Sequence, residues 1–458
     1  MPKIFSARWI LPIAAPAIEN GAIVVDDSQI VSVGARPELL ATFPNIPHDD
    51  FGNAVILPGL VNTHSHLELT VMRGFLEREE TDFFAWLRKL TIARLKMSDE
   101  DLFVSAACGA IEAARAGVTC LGDSSSFATA AMRAVANVGL RAIIYQESFG
   151  PDPNLATENV GKLRHQLDAM RPLESPLISA GVSPHAPYTV SGPQLEMISR
   201  LAMAEKLPVM IHAAESQAEQ QLLRDGSGPF AEGLKTRSIA WQAPGCSTIR
   251  YLHDRGVLDT KPLLAHCINV HDDDLELIKA APAGIAHCPK SNAKLRHGRA
   301  PFAKFLAHGI NTGLGSDSVA SNNLCDIFEE ARFATLCARF GQVEEFATNK
   351  MVPTNEISAA DAVFAATLGG ARALGLDDRI GSLRPRLQAD FAVVSLSGAH
   401  QQPLRDPFDA LVFSSSGRDV LLTVVAGQEV YRSGCVASVN EETLSAKLEH
   451  LRQKLDYD

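Results

Sequence analysis

The sequence predicts an α/β protein: a (β/α)8 TIM-like barrel with a small β-sandwich domain formed from both chain ends. Three observations carry the prediction. Short apolar runs alternate with helical segments through the middle of the chain, the pattern of a parallel sheet with crossover helices. β-Branched runs punctuated by turn residues occupy both ends, and neither end has enough of them to bury a core alone. The chain has 458 residues, more than one ordinary domain but suited to a large barrel with a smaller partner. The expected divisions are 1–57 and 375–438 for the two parts of the small domain, 58–374 for the barrel, and 439–458 for a terminal helix. A long doubly wound sheet is the alternative reading of the same alternation.

Taken in order, residues 21–34 hold two β-branched runs around an Asp26-Asp27-Ser28 turn, hence a hairpin. The apolar run 54–61 leads as a strand into His64-Ser65-His66. Ser98-Asp99-Glu100-Asp101 opens a helix with a capping-box-like start, and Gly117 stops it. Strand 118–121, helix 127–138, strand 140–146, helix 155–170, strand 177–183, helix 191–206 and strand 208–212 follow. Strands at 262–266, 283–288 and 310–315, each preceded by a helical segment, bring the total to eight. Residues 224–260, rich in Gly and Pro with Trp241 inside, are too long for a simple connection. They read as an excursion beside the barrel mouth or as surface decoration. Runs 389–394 and 421–427 are strands of the second end, and Leu444, Leu448 and Leu451 at helical intervals predict a docked helix over 440–455.

Hydrophobic residues make up 46% and charged residues 21%, ordinary globular composition with ample material for a core. A net charge of -11 argues against nucleic-acid or anionic-membrane partners. No run approaches the length of a membrane span, and the first residues hold too short an apolar stretch for a secretory signal. Eight cysteines without a CxxC pair read as buried free thiols of a reducing compartment. The expected location is cytoplasmic.

In a strand-helix barrel the chemistry collects at strand carboxyl ends. Here those ends carry His64 and His66, Gln146 and Glu147, His185, His212 and Glu215, His266, His287, and Asp317. One histidine after an apolar strand is usually a satisfied, half-buried residue; so many strand ends offering one would be an improbable coincidence. Alternate strand residues share a face, so His64 and His66 can grip one cation. A catalytic zinc takes three or four protein ligands and leaves room for water, and His64, His66, His212 and Asp317 could supply them. No lysine ends strand four to bridge two metals, so one metal is expected. The H-x-E and P-C-x-x-C pattern of small zinc deaminases is absent. Asp272-Asp273-Asp274 reads as a solvated helix start, with no metal role.

Together PGLVNTHSH (58–66), SPHAPY (183–188), HAAES (212–216), LAHC (264–267), AHCPKSNAKLRHG (286–298) and GLGSDSVASNN (313–323) resemble the amidohydrolase superfamily, in its mononuclear deaminase and chlorohydrolase branch. The resemblance implies that His64, His66, His212 and Asp317 hold one divalent metal, zinc with iron as the alternative, and that bound water ionises near pH ~7. It further implies that Asp317 takes the water proton, Glu215 protonates a ring nitrogen, and His266 orients the developing oxygen. The residues alone also allow Glu215 to cap the next helix and His266 to act as a supporting group. His185 is expected to touch the substrate, with a turn-fixing role as its alternative. Ser291 and Asn292 either support Asp317 or His266 or simply form a turn.

Arg73-Gly74-Phe75-Leu76 and Phe84-Ala85-Trp86-Leu87 resemble the first loop of methylthioadenosine and S-adenosylhomocysteine deaminases. That loop would bring Trp86 to the nucleoside, and acidic side chains such as Glu77, Glu79 and Glu80 either meet ribose hydroxyls or, the commoner fate of such a run, stay as solvated surface charge. Those enzymes place arginines after strand three for a carboxylate, and residues 145–152 contain none. His66-Leu67-Glu68-Leu69, Gln146-Glu147 and the excursion look more like aminodeoxyfutalosine deaminases, which makes Glu68 and Glu147 expected substrate contacts. Either carboxylate could instead be paired with Arg73 or Arg141. The expected partner is a small-molecule aminopurine nucleoside, aminodeoxyfutalosine favoured, with a homo-oligomer implied by analogy. The alternatives are a triazine or pyrimidine amino- or chlorohydrolase and, last, a non-catalytic scaffold.

Overall fold

The structure, a computed structural model, describes residues 2–347 and 356–457. Five strands open the chain: β1 (Lys3–Ile10), β2 (Ile18–Asp26), β3 (Gln29–Ala35), β4 (His48–Asp50) and β5 (Ala54–Pro58). Asp27, at φ 49°, makes the left-handed turn between β2 and β3, a conformation Asp tolerates better than most residues. Eight strands follow in the middle region: β6 (Leu60–Ser65), β7 (Val118–Ser125), β8 (Arg141–Ser148), β9 (Ile178–Pro184), β10 (Met210–Ala213), β11 (Leu263–His266), β12 (Gly284–His287) and β13 (Thr312–Leu314). The chain then returns through β14 (Phe391–Ser395), β15 (Val420–Val425), β16 (Gln428–Arg432) and β17 (Cys435–Val436).

The strands of the two ends join in one nine-stranded sheet, ordered β17-β16-β15-β14-β5-β1-β2-β3 with β4 beside β1. The expected sandwich of two layers is thus a single hydrogen-bonded sheet with its own core of Phe5, Ile23, Ile56, Phe391, Val393 and Leu422. A second correction concerns the run 54–61, expected as one strand. Pro58 and Gly59 divide it: β5 pairs with β1 and β14, whereas β6 pairs with β7. Proline ends the ladder for want of an N–H, and a Cβ at Gly59 would lie 2.1 Å from the Thr119 side chain.

The middle strands form two four-stranded parallel sheets, β6-β7-β8-β9 and β10-β11-β12-β13. Parallel bridges link them at both seams, Val182 with Val209 and Ser65 with Asp317. The amide of Asp317 donates to the His64 carbonyl over 2.8 Å, which sets the His64 and Asp317 side chains next to each other. Helices pack outside. Asp99–Arg115 starts with a Ser98–Asp101 capping box and buries Ala106, Ala107, Ala110, Ala113 and Ala114, side chains small enough for close approach. Arg141 at the start of β8 forms a buried two-pronged ion pair with Asp390 (2.8 and 3.1 Å), tying the middle region to the terminal sheet.

Two further elements shape the site. Helix Phe83–Leu95 is capped by Asp82 and stands between the site and helix Glu441–Tyr457. Leu451 and Leu455 of the latter share a core cluster with Trp86, Leu90 and Met97. In the 224–260 segment, helix Gly228–Thr236 packs Phe230 on Tyr188, with ring centroids 4.1 Å apart. All eight cysteines are unpaired. No helix among the described residues is long and apolar enough to cross a membrane.

Candidate metal and substrate site

His64 ends β6 fully buried, with Nδ1 3.0 Å from the Met210 sulfur and Nε2 lacking any hydrogen-bond partner. Its Nε2 lies 3.4 Å from Asp317 Oδ1, and His66 Nε2 lies 3.6 Å from the same oxygen. His212, at the end of β10, directs Nδ1 at the His185 carbonyl over 2.8 Å. That bond puts its proton on Nδ1 and leaves Nε2 as a bare lone pair facing inward. The ligand atoms of His64, His66 and His212 lie within 4.8 Å of one another, as do those of His64, His266 and Asp317. These two triads share His64, so His266, expected only as a catalytic group, also stands within ligand distance.

Backbone strain marks the same place. Ala214, His266, Cys267 and Asp317 all have φ between 48° and 73°, at a cost of about 1–3 kcal/mol each for non-glycine residues. Buried carboxylates hold these turns. Glu219 accepts from the amides of Ala214 and Glu215 (3.0 and 2.9 Å) and from Thr248 Oγ1. Asp123 accepts from Ser65 Oγ and the Leu67 amide, each 2.8 Å away. Burial pushes both carboxyls up to about 7.

Asp317 Oδ2 accepts from Ser291 Oγ at 2.5 Å and Ser321 Oγ at 3.2 Å, and Oδ1 from the Ser318 amide at 2.6 Å. Burial alone would raise its carboxyl, but the close approach of the His64, His266 and His66 rings holds it well below the usual range. Burial lowers His64 to about 3, so its imidazole is neutral. A neutral nitrogen lone pair 3.4 Å from an ionised carboxylate, both out of water, is a repulsive arrangement that a divalent cation between them resolves. The donor set therefore fits such an ion.

Glu215 Oε2 accepts from the Tyr188 hydroxyl at 3.2 Å, while Oε1 lies 3.3 Å from His297 Nδ1 and 3.7 Å from His266 Nε2. Burial opposes ionisation here too, yet His266, His297 and His212 hold this carboxyl far below its ordinary value. His266 Nδ1 is 2.8 Å from Asn292 Oδ1, so it donates there and keeps Nε2 free. The turn role considered for Ser291 and Asn292 is thus joined by direct contacts to Asp317 and His266.

These groups floor a cavity of about 280 Å³. His66, His185, His212, Glu215, His266, Glu147 and Asp317 line it together with Leu69, Phe83, Trp86, Leu87, Leu90, Phe149, Tyr188 and Leu295. The walls are mostly apolar, as in typical small-molecule pockets. Of the four expected substrate contacts, Trp86, Glu147 and His185 reach the cavity and Glu68 does not. The 3-10 turn Leu67–Met72 carries Glu68 away and buries it completely. Its carboxylate accepts from Ser125 Oγ and from the Ser126 and Phe127 amides, at the N-terminus of helix Ala128–Val138, where the dipole favours an anion. Glu77 and Glu80 pair with Lys294 and Glu79 with Lys89, and none of the three lines the cavity. Gln146 turns to the Ser126 carbonyl. The pairings considered with Arg73 and Arg141 are not formed either: Arg73 binds Glu112 and Arg141 binds Asp390.

Three cavity-side groups escape a reading by strand ends. Arg94 stands on helix Phe83–Leu95, its guanidinium 3.6 Å from Glu147 and 3.8 Å from Glu68. Its helical register with Phe83, Leu87, Leu90 and Thr91 was the available signal. Tyr188 and His297 lie inside two of the motifs, but their spacing from the strand ends does not reveal that both face Glu215.

Comparison with known proteins agrees with this geometry. The profile of the amidohydrolase family matches residues 55–430. A 5-methylthioadenosine/S-adenosylhomocysteine deaminase of Nitratidesulfovibrio vulgaris is 33% identical over 95% of this chain and 93% of its own. A 5'-deoxyadenosine deaminase of Methanothermobacter thermautotrophicus is 29% identical over 93% of each. Among solved structures, an adenosine deaminase of Xanthomonas campestris with bound zinc superposes with a TM-score of 0.86 at 26% identity, covering 100% of this chain and 99% of that one.

Proposed function

Since the chain belongs to the amidohydrolase family and is a hydrolase of non-peptide carbon–nitrogen bonds in cyclic amidines, we propose that it removes the 6-amino group of an adenine nucleoside as ammonia. The observation that carries this reading is the cavity floor: an ionised Asp317, an ionised Glu215 and three bare imidazole nitrogens converge where the wall turns apolar. His64, His66, His212 and Asp317 would hold one cation, zinc first and iron as the alternative. When bound, it supplies a Lewis acid that activates water at neutral pH. The same reading takes the two bridged four-stranded sheets as one closed barrel and places the domain divisions near residues 57, 374 and 438.

Asp317 is ionised and held by two hydroxyls, so it can take the proton of the attacking water. Glu215, also ionised, takes the other proton of that water and passes it to purine N1, which makes C6 the electrophile. His266, its Nδ1–H fixed by Asn292, presents a bare Nε2 that accepts a hydrogen bond from the attacking water and orients it toward C6. The amine then accepts the proton from Asp317 and leaves as ammonia. His185 and Trp86 pack against the nucleoside. Glu147, held down to about 2 against burial by His185, His66 and Arg94, is an acceptor for ribose hydroxyls.

Within the class, the wall favours a small apolar 5'-substituent, as in methylthioadenosine or 5'-deoxyadenosine. Aminodeoxyfutalosine and S-adenosylhomocysteine carry a carboxylate that needs a free cation. Among the described residues, Arg94 is the one Lys or Arg lining the cavity, and two carboxylates already flank it. With Glu68 withdrawn from the cavity, the first of these substrates loses its main support. A panel of adenosine, 5'-deoxyadenosine, methylthioadenosine, S-adenosylhomocysteine, aminodeoxyfutalosine and a chlorotriazine, scored by ammonia or chloride release, tests the reading. The highest kcat/KM is expected for the small apolar nucleosides. No ammonia from any adenine nucleoside would sink it, and chloride release would point to the triazine alternative.

A further inference from the structure

We infer that His297 is a positioning residue for Glu215, holding its carboxyl in place for proton transfer. The inference rests on the role proposed for Glu215 in the deaminase reading. The His297 side chain is only 7% exposed, and its Nδ1 lies 3.3 Å from Glu215 Oε1. Neither ring nitrogen has a formed hydrogen bond, and Glu215 Oε1 is the nearest carboxylate oxygen to Nδ1. Buried imidazole nitrogens without partners are costly, and the Glu215 carboxylate is the acceptor in reach.

The backbone explains how the ring arrives there. Helix Pro289–Lys294 ends in a turn in which Arg296 takes φ 58° and the His297 amide donates to the Asn292 carbonyl over 2.9 Å. This turn throws the side chain back toward the cavity, where Phe83 meets the ring edge-on, centroids 4.6 Å apart. One stretch of chain thus supports all three reacting groups: Ser291 donates to Asp317, Asn292 accepts from His266, and His297 faces Glu215. Tyr188 holds the other oxygen of Glu215. The carboxyl is gripped at both ends, as a group that must present one oxygen to a ring nitrogen requires.

In the tautomer this role requires, Nδ1–H donates to Oε1 on a small turn of the ring and Nε2 carries no proton. A purely structural histidine packed on Phe83 would be replaced by phenylalanine without kinetic consequence. His297→Phe is therefore expected to lower kcat about tenfold, the loss of one hydrogen bond to a charged group, with KM within roughly threefold and metal content unchanged. His297→Asn, whose amide can donate from the Nδ1 position, is expected to recover most of that loss. Wild-type kinetics in His297→Phe would overturn the inference, as would His297→Asn no better than His297→Phe. Should His297→Phe not fold, 15N NMR of histidine-labelled holoenzyme decides the matter. An Nδ1-protonated His297 whose resonances move in Glu215→Gln supports the contact, and resonances indifferent to that change overturn it. This readout needs no turnover, so it separates a wrong substrate class from a wrong role for His297.

Discussion

Replacing Ser291 by alanine probes how Asp317 is held. Its hydroxyl is the shorter of two donors to Asp317 Oδ2, 2.5 Å against 3.2 Å from Ser321. Ser321 has a single proton and also lies 3.1 Å from the Ser318 carbonyl, so it can replace Ser291 only in part. A hydrogen bond to a charged group contributes about 1.5–3 kcal/mol. Partial replacement puts the expected loss at the lower end, about 1.5 kcal/mol, or roughly tenfold in rate. Removal of groups that orient metal ligands gives the same order by a separate route, about 10–100-fold in metal affinity or activity. Ser291 is fully buried, but losing one oxygen leaves a void too small to unfold the chain. The assay is steady-state ammonia release at saturating cation, with metal content per chain measured on the same preparation. Ser291→Ala with wild-type kcat and wild-type metal retention would refute the claim that this hydroxyl sets Asp317.

Two further predictions concern stability. Glu330 is fully buried, accepting from Asn322 Nδ2 at 2.7 Å and the Lys290 amide at 3.3 Å, and burial pushes its carboxyl up to about 8. A raised carboxyl favours the folded state fully below its unfolded value of 4.5 and loses that contribution as pH rises through about 8. The urea midpoint should therefore fall less between about pH 6 and 8.5 in Glu330→Gln than in the wild type; parallel declines would exclude Glu330 as a source. Asp390→Ala leaves Arg141 buried with no counter-charge and the Ala426 amide without its acceptor. It is expected to cost about 3–5 kcal/mol in urea unfolding, much of it recovered by Arg141→Met in the double variant. An unchanged midpoint would count against the ion pair as the tie between the terminal sheet and the middle region.

The middle strands were legible because each is a short apolar run bounded by helix caps and glycine, a local signal. The cluster of His64, His66, His212 and Asp317 was legible for a related reason: a histidine or aspartate at a strand's end can point only past that end or to the adjoining loop. Glu68 failed because nearness in sequence to His66 says nothing about direction after a strand ends. The 3-10 turn rotates it toward the first amides of helix Ala128–Val138, a pairing set by tertiary packing. The run 54–61 failed because periodicity is blind to which sheet a strand joins, and only Pro58-Gly59 marks the change. Arg94 and His297 come from segments whose local pattern is merely helical or turn-like, and their meaning depends on partners far along the chain.

The residues divide the site into two layers with different physical supports. The groups proposed to react stand on strand ends and on strained turns held by buried Asp123 and Glu219, and are supported by the short stretch from Ser291 to His297. The substrate wall stands mainly on helix Phe83–Leu95, which owes its position to packing against Leu451 and Leu455 near the chain's end. Packing of that kind tolerates volume-conserving change at small cost, whereas the hydrogen-bonded carboxylates of Asp317 and Glu215 tolerate little displacement. Substitutions along Phe83, Leu87, Leu90 and Arg94 can therefore alter which nucleoside or heterocycle fits without disturbing His64, His212 or Asp317. This separation explains physically why the donor set is readable from the chain alone while the choice of substrate depends on side chains contributed from outside the strand ends.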